Sequence, residues 1–188
     1  LEAWRRDEEE IDGRICLTQS LFACLQTSPR GQPLLDWDAN GQPKLHRDRA
    51  IALLRAAGAL VLSGDQHLGS LVRHGIDSHT DGVVQFSGPA GVSFWQRWFE
   101  PRAVMENGDA EPYTGDFTDA FGNKLRVHAI ANPRITFAYY RQFKGGRSQA
   151  LGDQRLKSEG YSVVRVRRTA REYVLECWPR AVDPTLPG

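Results

Sequence analysis

One stretch of this chain joins residue types and a spacing that could do chemistry: Leu60-Val61-Leu62-Ser63-Gly64-Asp65-Gln66-His67-Leu68-Gly69-Ser70. An apolar run stops at small residues, and an Asp and a His follow, one residue apart. A carboxylate oxygen and an imidazole nitrogen are metal donors. In an extended turn, residues i and i+2 point the same way. Asp65 and His67 could then reach one metal, or two adjacent ones, as catalytic ligands. Open α/β sheets bind ligands beyond the carboxyl ends of their strands. Ser63 and Gln66 are candidates to orient His67 through its other ring nitrogen. The same residues also suit a turn capped by Asp65, with His67 half exposed and no ligand.

The remaining candidates are weaker. His74 lies seven residues beyond His67, on the same face if the intervening segment is helical, or at the surface. Asp77-Ser78-His79-Thr80-Asp81-Gly82 reads as a turn whose Asp residues serve turn chemistry. Asp36-Trp37-Asp38-Ala39-Asn40-Gly41 begins like a calcium loop, but the twelfth position, where a bidentate Glu belongs, is Arg47. A tight Asx turn is the better reading. Phe94-Trp95 and Trp98-Phe99 have the spacing of a core-facing stripe. Arg97, Arg102, Arg134, Arg141 and Arg147 are phosphate-clamp candidates or ordinary surface charges. There is no Walker A loop and no G-x-S-x-G elbow.

The elements that would position Asp65 and His67 follow from periodicity. Leu45, Ala50, Ile51, Leu53, Leu54 and Ala57 form the apolar stripe of a helix, with His46, Arg47, Asp48, Arg49 and Arg55 on its other faces. Gly58 stops that helix. Ala59–Ser63 lacks polar alternation, as in a parallel strand buried on both faces. Gly13–Thr18 and Val83–Ser87 read as further strands, Thr27–Gly41 as a loop, and Leu68–His74 as one or two helical turns. Lys124–Ile130 and Arg134–Tyr139 alternate with period two. Tyr161–Val166 and Arg171–Cys177 flank a polar turn, as in a β-hairpin. The Pro-rich tail from Pro179 to Gly188 is expected to fray.

Size and composition suit one core. The 188 residues carry 24 Lys+Arg against 23 Asp+Glu, so no basic field argues for nucleic acid. No apolar run reaches the ~18–20 residues of a membrane span. Cys16, Cys24 and Cys177 are odd in number and lack CxxC spacing, and so read as buried small hydrophobes. The expected class is α/β. Residues 1–104 form an α/β part with the motif loop, 105–122 a surface insertion and 123–188 a β-rich part. The chain opens at Leu1 with Trp4-Arg5-Arg6-Asp7, like a helix already under way, which suggests a piece of a longer protein. No compartment is assigned.

At Asp65 and His67 a resemblance enters. Val61-Leu62-Ser63-Gly64-Asp65-Gln66-His67, Arg73-His74-Gly75, and the closing Gly160-Tyr161 and Glu176-Cys177-Trp178-Pro179 resemble the C-terminal part of PhoD-like metallophosphatases. These alkaline phosphatase D-type enzymes belong to the calcineurin-like metallophosphoesterase superfamily. Asp36–Gly41, followed by Arg47-Asp48-Arg49-Ala50, resembles the segment that precedes the motif. The superfamily usually has Gly-His-x-His, whereas this branch has Gly-Asp-x-His. The resemblance runs from about Ile15 to Pro179.

It implies a layered α/β/β/α sandwich and hydrolysis of phosphate mono- or diesters by a metal-held hydroxide. Asp65 and His67 would be metal ligands, for Fe, Ca, Mn or Zn; His74, which has no counterpart in the family's pattern, is a candidate to support them from behind. It also implies upstream Asp-, Asn- and His-bearing motifs, which this sequence lacks. The expectation is therefore a C-terminal fragment of a phosphohydrolase, inactive without the missing N-terminal portion of the same protein. The rivals are a non-catalytic β-rich interaction lobe and a metal-dependent nuclease of the same superfamily.

Overall fold

A computed structural model describes residues 1–6, 11–92, 96–134, 157–180, 182–183 and 185. The expected strand over 134–139 beyond its first residue, Phe94 and Trp95, Arg141, Arg147 and half of the tail lie outside them.

The fold is mixed α/β. Among the described residues the elements are α1 (Glu2–Arg6), β1 (Arg14–Thr18), α2 (Lys44–Ala56), β2 (Ala59–Ser63), β3 (Gly69–His74), β4 (Val84–Ser87), β5 (Gly115–Thr118), β6 (Lys124–Ala131), β7 (Gly160–Arg167) and β8 (Glu172–Pro179). Six strands form one sheet in the order β1-β2-β4-β3-β6-β5. β1, β2 and β4 run parallel, while β3 is antiparallel to both β4 and β6. The carboxyl ends of β1, β2 and β4 therefore share an edge with the amino end of β3. β7 and β8 make a separate two-stranded hairpin.

α2 forms as its apolar spacing predicts, and Gly58 ends it at φ +63°. It buries Ile51 and Leu54 against Ala59, Val61 and Val83. The polar faces need one correction. Leu45 is 78% exposed, and Arg47 takes the buried position one turn before Ile51. Arg47 donates from Nε to Phe22 O at 2.8 Å and from Nη1 to Gly75 O at 2.8 Å and Asp48 Oδ1 at 2.7 Å. Burying a guanidinium is tolerable only with such a set of acceptors. A second core gathers Leu21, Ala23, Leu25, Leu68, Val72, Phe99, Phe117, Leu125 and Val127.

Leu68–His74 is not helical. It is mainly strand β3, burying Ser70, Val72 and His74 and half-burying Leu71 and Arg73. The period is two, but polar side chains occupy two of the buried positions and mask it. Met105–Gly122 is only partly a surface loop. It contains β5, which pairs with β6 in the main sheet and sends Phe117 into the core. The three cysteines are free; Cys24 is buried, and Cys16 and Cys177 are half-buried. Among the described residues, no helix is long and apolar enough to cross a membrane.

Candidate functional site

The chain leaves β2 at Ser63 and enters β3 at Gly69, crossing the end of β4, which lies between them. Gly64–Leu68 makes this crossing along the edge where β1, β2 and β4 end. It is not extended. Asp65 (φ +61°) and His67 (φ +52°) both adopt left-handed backbone conformations. Asp and His visit that region more readily than most residues, but at a cost of about 1–2 kcal/mol each. Gln66, between them, turns inward, and its Nε2 donates to Ser20 Oγ at 2.6 Å. The turn thus anchors on Gln66 and leaves Asp65 exposed and His67 half exposed.

Asp65 and His67 line one cleft of about 680 Å³, together with Gln26, Leu34, Leu35, Asp36, Trp37, Asp38 and Arg97. The Asp36–Gly41 segment is the expected Asx turn, with Asp38 N donating to Asp36 Oδ1 at 3.2 Å. Its place beside Asp65 was invisible in the sequence. So was the role of Arg97, one of five scattered arginines. Arg97 is 7% exposed and pairs with Asp36 through Nη2, which donates to Oδ1 at 3.3 Å and lies 3.1 Å from Oδ2. It lies 3.8 Å from Asp38 Oδ2, and its Nη1 donates to Asp65 O at 3.3 Å. One guanidinium therefore ties the Asp36 turn to the Asp65 turn.

The strap carrying Arg97 is fixed at several points. Gln96 Nε2 donates to His67 O at 2.9 Å and to Ser158 Oγ at 2.9 Å. Asn132, just beyond β6, accepts from Phe99 N at 2.8 Å and donates to Phe99 O at 2.7 Å. On the other wall, Cys24 Sγ accepts from Asp36 N at 3.1 Å. Burial pushes the Cys24 thiol up to about 12, so it stays protonated and donates to Asp36 O. Asp119 Oδ2 accepts from Cys24 N at 2.8 Å, and its Oδ1 accepts from Asn123 N at 2.8 Å. No motif in the sequence marked Asp119.

His74 is not brought to the cleft. It ends β3 at the opposite edge of the sheet, fully buried, with Nε2 2.8 Å from Gln85 Oε1. Gln85 Nε2 donates to Ser63 Oγ at 2.9 Å and Ser20 O at 3.1 Å, which fixes the amide and makes His74 Nε2 the donor. Burial first, and then the nearby charge of Arg47, push the His74 pKa down to about 3. It is a neutral core residue, not a support for Asp65 or His67. The Ser63 hydroxyl accepts from Gln85 Nε2 at 2.9 Å.

Asp-x-His spacing recurs at Asp77-Ser78-His79, also remote from the cleft. There Asp81 Oδ1 and Oδ2 accept from Ile76 N and Asp77 N at 2.8 and 3.0 Å, as turn chemistry predicts. Spacing alone does not distinguish the two sites; position at the strand ends does.

The donors at the cleft suit a metal in kind. Among the described residues, however, no group of three or more His, Cys, Asp or Glu side chains is placed to hold one. Asp36 and Asp38 are engaged by Arg97. The cleft is lined by a carboxylate, an imidazole, a buried cation and an apolar wall. In comparisons with family models, curated proteins and solved structures, the chain matches none.

Proposed function

We propose that this chain carries one corner of the active site of a metal-dependent phosphohydrolase, acting on phosphate mono- or diesters. The observation that carries the reading is the convergence of Asp65 and His67, in left-handed conformations, on a cleft that also holds Arg97. Unusual backbone at non-glycine residues persists only where its surroundings hold it, and it clusters at functional sites. The sheet and α2 would form one half of a layered α/β/β/α sandwich. The remaining metal donors would come from segments outside the described residues.

A divalent or trivalent ion such as Fe, Ca, Mn or Zn would supply a hydroxide nucleophile at neutral pH. Asp65 and His67 would hold it from this side. Arg97 would bind a phosphate oxygen and offset its charge, kept in place by Asp36 and Asp65 O. Two ligands bind a metal weakly, so the chain alone would be nearly inactive.

The test uses the intact protein that carries this chain, with bis-p-nitrophenyl phosphate as substrate. Asp65→Ala and His67→Ala should each abolish turnover, with circular dichroism showing retained fold. Full turnover in both variants would overturn the reading in favour of a non-catalytic interaction lobe.

A further inference from the structure

The cleft is larger than a phosphate group needs. Its volume of about 680 Å³ lies within the ~300–1,000 Å³ of pockets that enclose small organic molecules. One wall is apolar and open to solvent: Leu34, Leu35 and Trp37 all line it, and Trp37 is 76% exposed. Tryptophan is highly buried on average, so this ring stands out. It is nonetheless held in place. Its ring meets Phe121 edge-on, with centroids 5.0 Å apart and planes at 64°. The turn beneath is fixed by Asp36, through Cys24 and Arg97. A supported ring with so much open surface is a stacking platform.

The other end of the cleft holds Asp65, His67 and Arg97, the side on which the proposed metal would receive a phosphate. Arg97 is nearly buried there, with Nη2 on Asp36 and Nη1 donating to Asp65 O.

We infer that the cleft takes a phosphate ester whose alcohol part is a planar aromatic ring, stacked on Trp37 with its phosphate end at Arg97, Asp65 and His67. This deepens the phosphoester reading and rests on it. A flat ring fits the wall better than an alkyl chain, because Trp37 offers a rigid face rather than a groove.

The test is binding, which needs no turnover. Phenyl phosphate, n-butyl phosphate and inorganic phosphate are titrated calorimetrically, with Mn²⁺ present, into the intact protein that carries this chain and its Trp37→Ala and Trp37→Phe variants. In the unmodified chain, phenyl phosphate should bind about tenfold tighter than the other two. Trp37→Ala should erase that advantage, and Trp37→Phe should keep most of it. Equal binding of all three ligands, or an advantage that survives Trp37→Ala, overturns the inference and leaves the phosphate site standing. Butyl phosphate matching phenyl phosphate overturns the planar ring alone. Failure of every phosphate ligand to bind overturns the phosphoester reading and, with it, this one.

Discussion

Acidification should weaken this fold through one residue, His74. Folded, its pKa is about 3, because the ring is fully buried and faces the charge of Arg47. Unfolded, it returns to the ordinary value of about 6.5. Between those values the unfolded chain binds a proton that the folded chain refuses. The contribution is therefore complete above about pH 6.5 and is lost as pH falls below it. The slope approaches about 1.4 kcal/mol per pH unit, so by pH 5 the loss from His74 alone is about 2 kcal/mol.

The carboxylates do not confuse this window. Asp81, held down by backbone N–H donors against a burial penalty, and Asp116, held down chiefly by Arg126, contribute stability that is lost at lower pH. His128 acts in the same sense as His74, lowered by burial and Arg73. Urea unfolding at about pH 7.5 and pH 5 would compare the unmodified chain with His74→Gln, whose amide can still bond Gln85. The variant should lose about 2 kcal/mol less between the two pH values, retaining only the smaller share from His128. Equal losses in the two proteins would refute the assignment of His74 as a neutral core residue.

Two further outcomes follow from the same geometry. Arg47→Met should destabilise the fold by about 3 kcal/mol in urea unfolding, because the carbonyls of Phe22 and Gly75 lose their buried donor; a loss below about 1 kcal/mol would show those acceptors find water. Asp65→Gly should raise stability by roughly 0.5–1 kcal/mol through relief of its positive φ, while weakening Mn²⁺ binding measured by calorimetry on the intact protein. Lower stability in that variant would mean that the Asp65 side chain supports the turn.

The local elements were legible because their signals are local. The stripe of α2, the stop at Gly58 and the unbroken apolar run of β2 each report on neighbours a few residues away. So do the alternating strands of the β7–β8 hairpin. β3 was misread because its buried positions hold Ser70 and His74, which satisfy their polarity through partners that no local pattern displays. Arg47 misled for the same reason, since its acceptors lie 25 and 28 residues along the chain.

The candidate site divides along the same line. Asp65 and His67 stood out from the sequence alone, as two metal-type donors after a buried strand. Their relation to each other came from the fold, which replaces an extended turn with two left-handed residues anchored by Gln66. The company they keep also came only from the fold. Arg97 and Asp36 are 61 residues apart and meet because β1, β2 and β4 end at one edge, over which the strap and the Asx turn both pass. Conversely, His74 follows His67 closely in sequence, yet strand β3 carries it to the opposite edge. Chemistry is written in residue types and short spacings; which residues share a cleft is set by strand order and direction, determined by long-range burial and pairing across the sheet.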